Sequence, residues 1–155
     1  RRGAFGGADG PEVLHSARGA MESVEGVRRW VVGGHSRGGA VAARLVHTDP
    51  SGVAGLVLIG TSHPRDFSLA RTPVPVTRVY GTRDTVADVE KLEATRVNLP
   101  PATRLVPIEG GNHSQFGYFG FLLGDSRATI SREEQQRLTR RAVTDALEAA
   151  ADEFQ

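Results

Sequence analysis

The chain has 155 residues, 19 basic and 18 acidic side chains, no cysteine and 39% hydrophobic residues. This length predicts a single domain, and the absence of cysteine excludes disulfides, thiolate zinc sites and thiol nucleophiles. A formal charge of +1 argues against nucleic-acid binding, and the five histidines lack the close pairing of a metal-binding helix. We therefore expect no metal site.

No apolar run reaches the roughly 20 residues that a membrane helix needs, and nothing near the start resembles a signal peptide. We expect a cytoplasmic protein without membrane contacts. The first residue is arginine, so we expect the chain to start after an initiator, a processed leader or a missing segment.

Glycine and proline divide the chain into alternating helical and strand-like segments. Residues 1–10 contain four glycines and are predicted to be a loop, which leaves 11–155 as the ordered core of one domain. Apolar spacing predicts helices at 11–24, 38–46 and 85–97, and strands at 27–32, 53–59, 76–80 and 103–108. Residues 61–75 and 109–124 are predicted to be loops.

The last segment opens with a capping signal. Ser131 and Glu134 have the S-x-x-E spacing of a capping box, and apolar residues with helical spacing follow as far as Phe154. Strands that alternate with helices favour a parallel sheet with helices on both faces. We therefore predict a three-layer α/β/α fold with about four strands and a ligand site at the carboxyl ends of those strands.

The segment Gly34-His35-Ser36-Arg37-Gly38 matches G-x-S-x-G and lies between a predicted strand and a predicted helix. The pattern alone is weak, but a strand-to-helix turn is the setting in which a nucleophilic serine needs it. We expect both glycines to prevent collisions within the turn. The helix N-terminus behind Ser36 would offer free N–H groups to an oxyanion, that of Arg37 included.

A serine hydroxyl needs an imidazole base, and that imidazole needs an acid that fixes its tautomer. His113 follows the fourth predicted strand and Asp84 follows the third, both in turn-rich loops. Asp84 is equally explained as a helix N-cap, and Asp66 after the second strand is a rival acid. We favour Asp84, which gives the chain order Ser36, Asp84, His113.

Four segments carry a resemblance to a known family: V-V-G-G-H-S-R-G-G, Y-G-T-R-D, I-E-G-G-N-H-S-Q-F-G and G-D-S-R-A-T-I-S-R-E-E-Q. From Trp30 to its C-terminus the chain resembles a small, lidless branch of the α/β-hydrolase superfamily. This resemblance implies a cofactor-free serine hydrolase of esters or related acyl compounds. It implies Ser36 as nucleophile, Asp84 as acid, His113 as base and the Arg37 N–H as an oxyanion donor.

The resemblance covers only the C-terminal half of that fold. Family members begin with four more strands, and the loop after their third strand supplies a second oxyanion donor. Without them, residues 27–32 would form an exposed apolar sheet edge, at which a second copy or a missing N-terminal segment could pair. An N–H from Gly6-Gly7 is a remote candidate for the second donor.

Other residues near these motifs have two interpretations. His35 and Phe116 are candidate substrate contacts, although packing is the more common role for a histidine placed as His35 and His63 are. Phe116 belongs to an aromatic cluster with Tyr118, Phe119 and Phe121 that would line an acyl pocket or anchor a long loop. Asp125 is expected to cap or brace that loop.

Three functions fit these residues. The first is a hydrolase of small, accessible esters that forms a covalent acyl-enzyme, with an open pocket because residues 61–75 are too few for a helical lid. The second is an incomplete hydrolase that acts through association with another chain. The third is an acyltransferase or lyase that uses the same three residues. Substrate identity, acyl length and oligomeric state are not encoded in any motif of the chain.

Overall fold

The computed structural model describes residues 10–152 of the chain. The predicted loop at 1–9, with Gly6-Gly7, and the predicted helical position of Phe154 lie outside this range. The elements in chain order are α1 Pro11–Glu22, β1 Trp30–His35, α2 Arg37–Thr48, β2 Val53–Ile59, β3 Val76–Gly81, α3 Val89–Ala94, β4 Arg104–Ile108 and α4 Arg132–Asp152. Two 3₁₀ turns, Arg96–Asn98 and Ser114–Phe116, complete the described structure.

The four strands form one parallel sheet in the order β1-β2-β3-β4. Alternate residues of β2 face opposite layers, as the two-residue period of a strand requires. Leu56 and Leu58 belong to the core cluster that contains the Ala42, Ala43 and Val46 side chains of α2. Val57 belongs to a second cluster, with Val79, Ile108, Phe116 and the α4 residue Ala142. The predicted three-layer fold with four parallel strands is therefore confirmed.

The first strand differs from its prediction. It was predicted at 27–32, ended by two glycines, whereas β1 runs from Trp30 to His35 and contains both of them. Gly33 pairs with Val57, and a Cβ on Gly33 would lie 2.9 Å from the Val57 carbonyl oxygen. Glycine here permits close strand packing, so its presence did not indicate a strand end.

The third helix is shorter than predicted. Residues 85–97 contain a six-residue helix, α3, and the start of the separate turn Arg96–Asn98. The Asp88 side chain caps α3 by accepting from the Lys91 N–H at 2.8 Å. Asp84 instead accepts from the N–H groups of Val86 and Ala87, which holds the chain in a turn before the helix begins.

The helix α4 begins with half of the predicted capping box. The Ser131 hydroxyl accepts from the Glu134 N–H at 3.1 Å. The Glu134 carboxylate accepts instead from Arg137, at 2.7 and 2.8 Å, within the first turns of the helix. The pattern therefore located the helix start but not the partner of its glutamate.

A buried arginine lies in the middle of the sheet. Arg78 of β3 is 1% exposed, and its guanidinium donates to the carbonyls of Leu92 at 3.0 Å and His63 at 2.8 Å. Burial lowers the pKa of Arg78 to about 10, so the side chain still carries a charge at neutral pH. Arg78 therefore ties α3 and the loop after β2 to the same strand.

The turn between β1 and α2 is closed by direct backbone contact. A Cβ on Gly34 would lie 2.3 Å from the Gly38 carbonyl carbon, whereas a Cβ on Gly38 would meet nothing within 4 Å. The expectation that both glycines prevent collisions is therefore correct for Gly34 and wrong for Gly38, which faces open space.

This difference predicts opposite effects of one added methyl group. We expect Gly34→Ala to lower the free energy of unfolding by about 1–3 kcal/mol, because the methyl group collides with backbone that cannot move aside. Gly38→Ala, the matched control within α2, should leave it unchanged or raise it by up to about 1 kcal/mol, because alanine favours helix. Urea unfolding of both variants measures the two values. Equal losses would contradict this account of the turn.

Candidate active site

The turn after β1 holds Ser36 in a conformation that side chains rarely adopt. Its φ of 52° is the only positive φ of a non-glycine residue within 10–152. The Ser36 N–H donates to the Ile59 carbonyl at 2.9 Å, and the Ser36 carbonyl accepts from the N–H groups of Gly39 and Ala40. Sheet and helix thus fix both sides of Ser36. Strain of this kind is concentrated at functional sites and persists only where the surroundings impose it.

The first residue of α2 provides an available backbone donor. The N–H of Arg37 has no hydrogen-bond partner within residues 10–152, as is usual in the first turn of a helix. The partial positive charge of the helix N-terminus adds to its attraction for an anion. Arg37 is therefore placed to donate to a negative oxygen beside Ser36.

His113 and Asp84 meet in the interior. His113 Nδ1 lies 2.8 Å from Asp84 Oδ2, and the two residues are 2% and 3% exposed. The loop after β4 and the loop after β3 supply them, at adjacent strand ends. An imidazole that donates from Nδ1 to this carboxylate has Nε2 left as its acceptor.

The second oxygen of Asp84 is also occupied. Its Oδ1 accepts from the N–H groups of Val86 at 2.8 Å and Ala87 at 2.7 Å, so one carboxylate both shapes the turn and contacts the imidazole. The rival acid Asp66 is an exposed residue whose carboxylate lies 2.7 Å from the Arg44 guanidinium. The structure brings Asp84, and not Asp66, to His113.

Asp125 braces the loops that carry His113 and Asp84. Its Oδ2 accepts from the N–H of Ser114 at 2.8 Å and from the hydroxyl of Ser114 at 2.7 Å, while Oδ1 accepts from the Thr85 N–H at 3.4 Å. Burial alone would raise the pKa of Asp125, but these hydrogen bonds hold it below its usual value. An ionised Asp125 therefore links the residue after His113 to the residue after Asp84.

His35 packs against the imidazole of His113. The two rings lie 4.5 Å apart between centroids, and the rings of Phe116 and Phe119 lie 5.5 and 5.7 Å from His35. Burial, and then repulsion from His113, lowers the pKa of His35 to about 4. His35 is therefore neutral at physiological pH and supports the His113 ring without adding charge.

The aromatic cluster is divided between the core and the surface. Phe116 is 9% exposed and belongs to the core beneath β2 and β4, while Tyr118, Phe119 and Phe121 are 78%, 56% and 57% exposed. Of the two interpretations of this cluster, Phe116 fits the anchor of the loop. Neither Phe116 nor His35, the two candidate substrate contacts, lines the cavity beside Ser36.

Ser36 and His113 line one cavity of about 240 Å³. Its other lining residues are Arg37, Gly60, Thr61, Ser62, His63, Arg65, Val86 and Ala87. Sequence analysis missed the contribution of residues 60–65, because a short loop without a motif gave no signal except its position after a buried strand. A larger cavity, of about 460 Å³, lies beside Asn112 and Arg127 and lacks Ser36 and His113.

No group of three or more His, Cys, Asp or Glu side chains within residues 10–152 is arranged to hold a metal ion. None of the helices in the same range combines the length and the apolar character needed to cross a membrane.

Comparison with solved structures identifies the fold. The chain is similar to MGS-MChE2, an α/β hydrolase enzyme from the metagenome of Mar Chica lagoon sediments, with 16% identity and a TM-score of 0.63 over 86% of this chain and 69% of that one. An α/β serine hydrolase homologue from Coxiella burnetii gives 16% identity and a TM-score of 0.63, over 99% of this chain and 63% of that one. For a thermophilic esterase from Thermogutta terrifontis the values are 15% and 0.63, over 97% and 75%.

The chain is thus shorter than each of these structures, and identities at this level show a common fold only. A search of curated proteins found no match. The sequence profile described as "Alpha/beta hydrolase family" matches residues 13–137, which include Ser36, Asp84 and His113. The profile match and the shared fold show that this chain belongs to the α/β-hydrolase family.

Proposed function

We propose that the protein is a serine hydrolase of small esters, with Ser36 as nucleophile, His113 as base and Asp84 as the acid that orients it. One observation carries the proposal: a serine in a strained turn lines the same cavity as a buried imidazole that is bonded to a carboxylate. Activation of a hydroxyl requires this combination of groups.

The reaction follows from the positions of the proton acceptors. His113 Nε2 takes the proton of the Ser36 hydroxyl while the serine oxygen bonds to the acyl carbon. The same nitrogen then protonates the departing alcohol as the ester C–O bond breaks. Water attacks the acyl-enzyme with His113 again as base, which releases the acid and restores the serine.

Separate groups stabilise the negative and the positive charge that develop during the reaction. The Arg37 N–H donates to the oxyanion of the tetrahedral intermediate. Asp84 stabilises the imidazolium of His113, and both of its oxygens stay hydrogen-bonded throughout. Because the low pKa of His35 keeps that ring neutral, it adds no positive charge beside the imidazolium.

The cavity favours small substrates. Its volume of about 240 Å³ is below the roughly 300–1,000 Å³ of drug-sized ligand pockets. The loop between β2 and β3 contains no helix that could cover the cavity as a lid. These features support short esters as substrates, a carboxylesterase-like specificity.

The nucleophile can be identified by covalent labelling. We expect a fluorophosphonate to label Ser36 and Ser36→Ala to lower kcat by about 10⁴-fold or more, because no other group replaces the attacking oxygen. Ser68→Ala is the matched control, since Ser68 is an exposed serine of the loop after β2 and does not line the cavity. Peptide mass mapping after labelling identifies the modified residue. Label on another residue, or its persistence in Ser36→Ala, would exclude this role for Ser36.

The acid can be tested with a pair of isosteric substitutions. We expect Asp84→Asn to lower kcat by about 10³- to 10⁴-fold, because an amide no longer fixes the His113 tautomer. Asp66→Asn should leave kcat within about twofold, because Asp66 pairs with Arg44 at the surface. Steady-state kinetics on a short ester gives both values. A large loss in Asp66→Asn with a small one in Asp84→Asn would reverse the assignment.

A second proposal concerns association with another chain. Within residues 10–152, β1 pairs only with β2, so its outer edge presents unpaired backbone groups. Such an edge is a template for another strand, from a second copy or from a separate N-terminal segment. The edge was predicted at 27–32, and the strand that forms it is Trp30–His35.

Association is measured by sedimentation. We expect the sedimentation coefficient of the purified chain to rise with concentration, because a second copy covers the free edge of β1. Gly38→Ala, which changes a residue outside this edge, should show the same concentration dependence. A sedimentation coefficient that stays at the monomer value from micromolar to millimolar concentrations would exclude self-association.

A further inference from the structure

We propose that the esters cleaved at Ser36 carry a free carboxylate a few bonds from the scissile carbonyl, and that Arg37 and Arg65 bind it. Half-esters of short dicarboxylic acids are the substrate class that this implies. The inference rests on the proposed hydrolase function and specifies that its substrate is an anion.

The charges around the cavity have one sign. Arg37 and Arg65 both line it, and no Asp or Glu is among its lining residues. The nearby acidic side chains are already paired, since Asp84 contacts His113 and Asp66 contacts Arg44, each pair at 2.7 or 2.8 Å. The cavity beside Ser36 is therefore positive, which raises the local concentration of anions.

Arg65 is held in place without being neutralised. Its Nε and Nη2 donate to the Ser62 hydroxyl at 2.9 and 2.5 Å, and Ser62 is 1% exposed. A hydroxyl orients a guanidinium but carries no charge. Arg65 keeps its full charge and has further N–H donors available for a carboxylate.

Arg37 is the second arginine of the cavity lining. Its side chain forms no hydrogen bond or ion pair with any residue in 10–152, and it is exposed. As the neighbour of Ser36 in the turn, it is fixed at the backbone. An anionic group would thus meet two cations, one from the start of α2 and one from the loop after β2, and guanidinium groups are suited to bind a planar carboxylate.

The ester and the carboxylate of the substrate would bind in one cavity. Ser36, Arg37 and Arg65 all line this space of about 240 Å³, so a molecule that reaches the nucleophile and both arginines has its two functional groups within the same cavity. A long neutral acyl chain would instead place apolar groups beside Arg37, Arg65 and His63. The lining therefore favours a short, charged molecule.

The test compares two isosteric esters. Ethyl hydrogen succinate carries the carboxylate, and ethyl succinamate replaces it by a neutral amide of the same shape. Each is hydrolysed with water to ethanol and a carboxylate, with release of one proton that a pH-stat counts. We expect kcat/KM to be about tenfold higher for the anionic ester at low ionic strength, as two solvent-accessible ion pairs allow, and the ratio to fall as salt is added.

The two arginines are tested by the ratio of kcat/KM for the anionic ester to kcat/KM for the neutral ester. A general loss of activity in a variant lowers both values equally and leaves this ratio unchanged. Arg37→Gln and Arg65→Gln should each lower the preference, and Arg65→Glu should bring the ratio below one. Arg140→Gln, an exposed arginine of α4, is the control that retains it. The inference would be overturned if the wild-type kcat/KM ratio of anionic to neutral ester were one or less, or if neither cavity variant changed this ratio. Turnover of either ester would still uphold the hydrolase.

A protection assay separates failure of the inference from failure of the hydrolase. Succinate should slow fluorophosphonate labelling of Ser36, and succinamide at equal concentration should not. Equal effects of the two compounds overturn the carboxylate site. Absence of both labelling and turnover overturns the proposed hydrolase itself, and this inference with it.

Discussion

The close contact between Gly34 and Gly38 is the constraint on which the rest of the site depends. It brings the end of β1 against the start of α2, and the intervening serine then has no relaxed conformation available. The sheet holds this turn through the bond from Ser36 to Ile59. The turn at the strand end therefore places the Ser36 hydroxyl and the free Arg37 N–H on adjacent residues of a fixed backbone, as the proposed reaction requires.

The imidazole is positioned by a network that extends beyond the two residues it contacts. Asp125 connects the loop after β4 with the loop after β3, and Asp84 holds its own turn while it contacts His113. His35 fills the space on one side of the ring. Because these contacts come from two loops and from the end of β1, the geometry of His113 does not depend on a single bond.

Much of the architecture was predictable because parallel sheets have strong local signals. The apolar run Val53–Ile59 gave its strand without error, and the order of Ser36, Asp84 and His113 followed from their places at strand ends. Local signals failed where glycine or aspartate had a tertiary role. Gly33 and Gly34 indicated a strand end but allow close packing, and the turn at Asp84 shortened the predicted helix. The place of Arg65 was hidden because a cavity wall depends on how loops converge, which no spacing encodes.

Arg78 has a consequence for the way the protein opens. Its guanidinium donates to the carbonyls of Leu92 and His63, and a buried cation that loses such partners is costly. Separation of either the loop after β2 or the helix α3 from the sheet therefore removes a partner from the same buried charge. The cavity wall formed by that loop and the position of α3 are thus stabilised through one side chain.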